Sequence, residues 1–410
     1  MRSLILALLC LAFALPEAQA NPAFARQTGF SCNACHAAFP RLNAFGQQFL
    51  ADNIRLPDWR ETVAVDTGDE LLALPKAPPL AVRAQSYVQA RSARAVDDQG
   101  RTTANARLDF QAPYLIKLLS GAPLSEHISY YFYAILAEKG ANGSTVVEDA
   151  WVNHDDVFGT GWGLTLGQFQ ISDLMFARET RLTFQDFIPY RMAGITYDRG
   201  ALLGGTAGPL NVNLGMVNGN GIEAEAKLNS AGFARPDRSF DDGTFKTLFG
   251  RVGGSLGPVS GGLFGLFGRQ PGAFGGNTDK WIVGLDLSGQ RGEVYWFAQW
   301  LDNHWRDFLG DGRDRRWWGG FAGIDWIRSP RWTHSLLYNY ADAGDLKGSG
   351  TVYEGIALNS LTLSSAYYFM RNLKGVVEVN IDFLAPDGRA DGIGHDTREH
   401  YLLTGFDLAF

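Results

Sequence analysis

The chain has 410 residues and a net charge of −7, a balance that argues against a nucleic-acid partner. Hydrophobic residues make up 46% of it, yet past the first fifteen no apolar run is long enough for a transmembrane helix, so the apolar residues must be dispersed. Three cysteines are too few for a disulfide framework or a four-ligand zinc site.

Residues 1–20 read as a signal peptide that is removed on export. Arg2 supplies the positive start, residues 3–15 are apolar, and Ala18-Gln19-Ala20 is the small-x-small pattern that precedes cleavage. Cys10 lies inside the apolar stretch and is expected to leave with it, so the mature chain begins at Asn21 and keeps only Cys32 and Cys35.

Residues 21–60 read as a small helical domain. Cys32-Asn33-Ala34-Cys35-His36 is a C-x-x-C-H motif. Two thiols three residues apart can each add to a vinyl group of one porphyrin, and the adjacent His36 then offers an imidazole to the iron. The motif therefore predicts one covalently bound haem c, with thioethers at Cys32 and Cys35 and His36 as proximal axial ligand. A thioredoxin-like redox pair would need a βαβ context that is absent, and a simple disulfide leaves His36 unexplained. Pro40 suits the first turn of a haem-covering helix, on which Phe39, Leu42, Phe45 and Phe49 share a face.

The sixth ligand is left open. No His or Met occurs between His36 and His127, so the barrel, the Asn21 amine or a five-coordinate iron must account for it. His127, His154, His334 and Met370 are expected near the periplasmic rim, and His304, His395 and His400 towards the outside; none is singled out.

Residues 61–79 carry Pro75, Pro78 and Pro79 and read as a linker. From 80 to 410 the pattern becomes about sixteen short alternating segments, near 81–94, 104–119, 124–138, 145–154, 162–171, 192–199, 209–218, 244–256, 258–269, 279–289, 292–303, 316–327, 331–341, 352–369, 371–384 and 398–410. Arg83, Gln85, Tyr87, Gln89 and Arg91 alternate with Val82, Ala84, Ser86, Val88 and Ala90; Trp281, Val283, Leu285 and Leu287 alternate with Ile282, Gly284, Asp286 and Ser288. Short connections such as Gly257–Pro258 and Ser329–Pro330 trade places with long polar loops such as 218–243 and 386–398. That alternation is the mark of an all-β, antiparallel outer-membrane barrel with short periplasmic turns and long external loops. Leu402, Phe406, Leu408 and Phe410 then form a closing strand that ends on Phe. The segment Asp173–Arg191, with Arg178, Glu179, Arg181 and Arg191, is a candidate to fold into the pore.

Residues 24–54 resemble the N-terminus of the outer-membrane fused monohaem cytochrome–porins of iron(II)-oxidising bacteria. The matching positions are Phe24-Ala25-Arg26, Cys32, Cys35, His36, Phe39-Pro40, Leu42, Phe45-Gly46 and Phe49. The plan of one haem motif, a linker and a porin of about sixteen strands continues the resemblance over the whole chain. The barrel also resembles phosphate-selective porins at Glu148-Asp149-Ala150-Trp151-Val152 and Gly167-Gln168-Phe169. It departs from them at Gln170, Ile171 and Ser172, where that family continues with Lys and Pro.

The resemblance implies oxidation of extracellular Fe(II), with the electron passing through the haem to a soluble periplasmic c-type cytochrome. Such a protein would be an iron(II):cytochrome c oxidoreductase acting by outer-sphere transfer, with no protein acid, base or nucleophile. Asp97, Asp98, Asp241, Asp242, Asp302, Asp307, Asp311 and Asp314 in the external loops offer hard oxygens to Fe(II). The alternative is a porin for anions or small solutes whose haem is a plug or redox sensor, with Arg83, Arg91 and Arg107 on inward faces. A peroxidase-like haem enzyme finds no distal His–Arg arrangement in the sequence.

Overall fold

The computed structural model describes residues 22–57, 59, 68–69, 71–72, 79–96, 102–138, 146–219, 245–271, 277–307, 310–342, 344–346, 357–383 and 398–410. The segments 97–101, 220–244 and 386–397 of the long loops, with Asp97, Asp98, Asp241, Asp242 and His395, lie outside the described residues, as do the side chains of Cys32, Arg107 and Arg191.

Three short helices open the chain: α1 (Pro22–Thr28), α2 (Cys32–Cys35) and α3 (Ala44–Ala51). A small hairpin, β1 (His36–Ala38) with β2 (Arg41–Leu42), joins the last two. Sixteen antiparallel strands then close into a barrel. They are β3 (Leu80–Val96), β4 (Thr102–Pro123), β5 (Ile128–Glu138), β6 (Val146–His154), β7 (Gly163–Gln170), β8 (Tyr197–Ala207), β9 (Leu210–Val217), β10 (Thr247–Leu256), β11 (Val259–Pro271), β12 (Asn277–Arg291), β13 (Val294–Arg306), β14 (Arg315–Ser329), β15 (Trp332–Asp342), β16 (Ala357–Met370), β17 (Leu373–Asp382) and β18 (Arg398–Ala409). Each pairs with its sequence neighbour, and β18 closes on β3 in a register that sets Phe406 opposite Ser86. Beyond the closing strand, Phe410 and Val82 exchange backbone hydrogen bonds at 2.9 and 2.8 Å.

The faces of the strands are inverted relative to a soluble protein. On β12, Val283, Leu285 and Leu287 are exposed, while Ile282, Gly284 and Asp286 point into the lumen and are buried. On β17, Val377 and Val379 are exposed and Lys374, Glu378 and Asn380 are buried. An outward apolar face and a polar interior suit a barrel surrounded by hydrocarbon and exclude a sandwich, whose apolar faces would meet each other.

All seven short turns fall at one end, the periplasmic end of barrels of this class. The tightest need a left-handed residue: Gly257 has φ +60°, which costs a glycine nothing.

The sixteen segments expected from the sequence correspond to the sixteen strands, with one clear displacement. The sequence pattern puts the sixth at 192–199, but β8 runs Tyr197–Ala207. Gly200, Gly204 and Gly205 disguise it as a loop; they are there because neighbouring strands press close. A Cβ on Gly200 would lie 2.0 Å from the Met216 carbonyl oxygen, and one on Gly205 would meet the Trp162 ring at 2.5 Å.

Residues 171–196, between β7 and β8, turn into the lumen as expected of this loop. Ile171, Met175, Phe187, Tyr190 and Ile195 pack against inward residues of the β10–β15 wall, among them Phe264, Ile282, Phe297, Leu301, Phe321 and Leu337. Phe187 stacks on Phe321 with centroids 4.1 Å apart and planes 4° from parallel, and a short helix, α4 (Ile188–Met192), follows it. The backbone N–H groups of Phe184 and Gln185 donate to the Glu378 carboxylate at 2.6 and 2.9 Å, anchoring the loop across the lumen. Fully burying each such apolar side chain is worth about 1.5–3 kcal/mol, so one side of the lumen is a packed core rather than a water channel.

Candidate functional site

The C-x-x-C-H segment is held by a local frame. Asn43 caps α3, its Oδ1 accepting from the Gly46 N–H at 2.9 Å. Its amide donates to the Asn33 and Ala34 carbonyls at 3.1 and 3.0 Å, and its backbone N–H donates to the Cys35 carbonyl at 3.0 Å. One residue thus ties α3 to the motif. Gly46 permits the contact, because a Cβ there would lie 2.0 Å from the Cys35 carbonyl oxygen.

This differs from the expected helix beginning at Pro40. Pro40 sits in the turn between β1 and β2, and the helix starts after Asn43, the stronger capping residue. The turn has its own use: the Pro40 carbonyl lies 3.1 Å from His36 Nδ1. Burial pushes the His36 pKa down to about 4, outweighing the raising effect of that hydrogen bond, so the ring is neutral near pH 7. A neutral imidazole that donates from Nδ1 to a carbonyl keeps the Nε2 lone pair, the state in which histidine binds a metal.

His36 and Cys35 open on a cavity of about 290 Å³. Phe39, Leu42, Phe45 and Phe49, expected to share a face, all line it, and Phe24 meets Phe49 edge-on at 5.5 Å. The barrel supplies the opposite wall through Tyr131, Tyr133 and Trp151, and charged groups close the lumen end: Arg83, Lys117, Asp149, Asp173 and Glu179. At the other end Phe30, Phe45 and Leu50 are 39–50% exposed. The residues present fit a haem c: an apolar slot, a neutral imidazole with its outer nitrogen fixed, and Cys35 on its wall.

The N-terminal residues sit in the short-turn mouth of the barrel, touching opposite walls. On one side the Asn53 amide donates to the His127 carbonyl at 3.0 Å, its Oδ1 accepts from Ser129 and from Asn153 at 2.8 Å, and Arg55 pairs with Asp155 at 3.2 Å. On the other, Arg41 pairs with Asp325 while its guanidinium lies over the Phe297 ring at 5.1 Å. Lys374 donates to the Phe39 carbonyl at 3.1 Å, and Arg83 lies over the Phe39 ring at 5.0 Å. Sequence reasoning missed Arg41, Asn53, Asp325 and Lys374, because nothing local marks residues that meet only after the segment docks.

Other sequence candidates are scattered. His127 and His154 stack on each other at 5.7 Å near the plug, and His127 Nδ1 lies 2.7 Å from Asp155. His304 stacks on Trp281, His334 packs between Trp326 and Trp332, and His400 accepts from the Asp382 N–H. Among the described residues the cavity wall holds no His besides His36 and no Met, so Met370 and the described histidines do not supply a sixth ligand there. Asn21 lies outside the described residues. Of the aspartates expected in the external loops, Asp302 lies instead on β13 and pairs with Arg316 at 2.7 Å, and Asp311 pairs with Arg315 at 2.5 Å; no group of three metal-binding side chains forms among the described residues.

The segments 148–152 and 167–169 lie side by side, Ala150 opposite Gln168 and Trp151 opposite Gly167. Beside them the inward loop carries a charge network. Lys117 donates to Glu179 at 2.8 Å, Arg178 pairs with Asp186 at 3.1 Å, and Arg83 forks onto Asp407 at 2.9 and 2.6 Å. Arg83 is thus engaged by a carboxylate rather than presented to solute.

No family model matches the chain, and no curated protein does. Solved structures do. The anion-selective porin of Comamonas acidovorans is 14% identical with a TM-score of 0.54, the match covering 81% of this chain and 98% of that one. Pseudomonas putida OprB is 10% identical with a TM-score of 0.54, covering 81% and 94%. Salmonella typhi OmpF is 10% identical with a TM-score of 0.52, covering 81% and 97%. The barrel has the porin fold. About a fifth of the chain lies outside each match.

Proposed function

We propose that this chain is an outer-membrane cytochrome–porin: a porin barrel whose periplasmic mouth is plugged by a haem c site, through which single electrons pass inward. The observation that carries the reading is His36, a neutral imidazole whose Nδ1 is spent on the Pro40 carbonyl and which shares an apolar cavity with Cys35. When bound, the haem supplies a one-electron couple that needs no atom transfer. The chain's own residues do the rest. Cys32 and Cys35 would provide the thioether sulfurs, and His36 would provide a nitrogen ligand to the iron. The phenylalanines exclude water, and the plug contacts hold the site where the exposed edge at Phe30, Phe45 and Leu50 meets a periplasmic cytochrome. The proposed outer donor is Fe(II), which rests on the resemblance of residues 24–54 to the iron-oxidising cytochrome–porins.

The second reading is a porin for anions or small solutes. The likeness to the Comamonas anion-selective porin supports it more directly than it supports a haem, since the comparisons speak only for the barrel. Inward Arg91 favours an anion path under that reading, whereas Arg83 is held by Asp407.

The test is expression alongside a haem-maturation system, followed by a haem stain after denaturing electrophoresis and absorption spectra in detergent. The expected outcome is a covalently attached haem that Fe(II) reduces rapidly, with attachment lost in a Cys32→Ser/Cys35→Ser variant and the iron spectrum altered in His36→Ala. A chain that carries no haem overturns the conduit and leaves the porin. A haem that dithionite reduces and Fe(II) does not overturns the choice of donor alone.

A further inference from the structure

A second concavity lies on the lipid-facing side of the barrel. Outward residues of β14–β17 form an apolar groove of about 400 Å³, lined by Ile324, Leu336, Leu363, Val377 and Val379. The short Ser365 side chain, set between His334 and Val377 in the register, leaves the hollow open. The periplasmic edge of the groove is polar. His334 packs against Trp326 and Trp332, with ring centroids 5.2 and 5.4 Å away. Trp332 donates to the Ser365 hydroxyl at 3.3 Å, whereas the His334 ring has no hydrogen-bond partner among the described residues. An imidazole facing hydrocarbon without a partner is costly, so this one calls for a polar group from outside the chain. Trp326, Trp332, Tyr367 and Phe369 are exposed around it and mark headgroup level.

Charge beneath the groove is uneven around the rim. The turns at 330–331 and 371–372 lie under it and carry Arg331 and Arg371, and Arg328 stands near the end of β14. The other five short turns carry Glu126, Asp155, Asp156 and Glu293 and no Arg or Lys, with Arg291 beside them at the end of β12. The Arg328 guanidinium lies over the Trp332 ring at 4.9 Å, and neither Arg328 nor Arg331 forms an ion pair among the described residues. Glu293 of the neighbouring turn accepts from Trp326 Nε1 at 3.4 Å.

Arginines, an unsatisfied imidazole and an apolar groove thus follow one another from the turns into the membrane. Arg328, Trp326 and Ile324 are successive outward positions on β14, as Trp332, His334 and Leu336 are on β15. Each step of two residues gains roughly 5 Å of height, at a rise of about 3.3 Å and a tilt near 45°. Phosphate, ester carbonyl and acyl chain follow in the same order in a glycerophospholipid. We propose that this face binds one anionic phospholipid of the periplasmic leaflet. Its phosphate lies on Arg328 and Arg331, an ester carbonyl accepts from His334, and one acyl chain fills the groove. The site is independent of the haem reading.

The experiment is native mass spectrometry of the intact, delipidated protein in detergent. Phosphatidylglycerol, phosphatidylcholine with the same acyl chains, and glycerol 3-phosphate are added in turn. The expected spectrum shows one retained phosphatidylglycerol, with the zwitterionic lipid and the chainless phosphate lost. Arg328→Gln/Arg331→Gln is expected to weaken retention by about tenfold or more, the factor for one lost charge-assisted bond. Ser365→Phe, which fills the groove, is expected to abolish it. The folded band on unheated gels confirms that each variant has assembled. Equal retention of the two lipids overturns the proposal, as does an adduct that survives Ser365→Phe. Glycerol 3-phosphate held as firmly as the lipid makes the arginines a bare anion site and also overturns it. An oligomer in place of the adduct, lost in Ser365→Phe, makes the face a contact between copies of this chain and overturns the lipid.

Discussion

Arg41→Met tests how the plug is held. Asp325 is fully buried in the lumen wall and meets two partners, Arg41 from the plug and the Ser335 hydroxyl at 2.5 Å. Removing the guanidinium leaves a buried carboxylate with one hydroxyl, a loss of about 3–5 kcal/mol. The guanidinium over Phe297 contributes about 1 kcal/mol more. A docking equilibrium weakened by about 3 kcal/mol shifts more than a hundredfold, at about 1.4 kcal/mol per factor of ten. Planar-bilayer recordings are expected to show a wild type that is nearly silent and an Arg41→Met variant with frequent openings. Protease added to the solubilised protein should cut residues 22–57 faster in the variant. Arg41→Met/Asp325→Asn, which removes both charges, is expected to lie closer to wild type than the single change. An Arg41→Met protein as silent and as protease-resistant as wild type would show that the Asp325 contact does not hold the plug, as would a double variant worse than the single.

Gly46→Ala places a Cβ 2.0 Å from the Cys35 carbonyl oxygen, so α3 must move off the motif; a loss of about 1–3 kcal/mol and a lower yield of haem-bearing protein are expected by thermal melting and haem stain. Phe187→Ala removes the ring stacked on Phe321 in the lumen core, and about 3–5 kcal/mol of loop anchoring should go with it, read as earlier heat conversion of the folded band on gels. Glu378→Gln weakens the charge-assisted bonds to the Phe184 and Gln185 N–H groups by about 1.5–3 kcal/mol in total, and hydrogen exchange at those two amides should quicken while the barrel strands stay protected.

The barrel was legible because period-two alternation is a local property. Val283, Leu285 and Leu287 against Ile282 and Asp286 declare their faces without any knowledge of neighbours, and turn residues mark the ends. β8 was displaced for the complementary reason: Gly200 and Gly205 answer to partners on other strands, and glycine reads as a loop when those partners are unknown. The apolar face of Phe39, Leu42, Phe45 and Phe49 was readable, whereas the helix start was not, since Pro40 competed with Asn43 and the Pro40 carbonyl was already committed to His36. Docking of the plug was beyond reach. Arg41 and Asp325 are 284 residues apart, and neither stands out until the barrel brings them together.

The lumen bears on the choice between conduit and porin. A porin needs a continuous wet path, and two bodies stand across it here: the plug in the mouth, bonded to both walls, and the loop 171–196, whose apolar face is fused to the β10–β15 side. Polar residues remain along β3, β4 and β17, where Gln89 and Gln111 lead down to Tyr87, Tyr114, Phe184 and Tyr401. Those rings sit 5.0–6.3 Å apart and narrow the path, and Tyr87, Tyr114 and Phe184 line a recess that adjoins the cavity at Arg83, Lys117 and Glu179. From Arg83 to Val96 the strand β3 climbs thirteen residues, roughly 30 Å of height at a rise of about 3.3 Å and a tilt near 45°. A donor fixed at the outer loops would therefore be separated from the cavity by most of the membrane. Under the conduit reading a small hydrated donor would descend the polar side and stop at the ring constriction, which would ask of the lumen only a blind well rather than a through-channel.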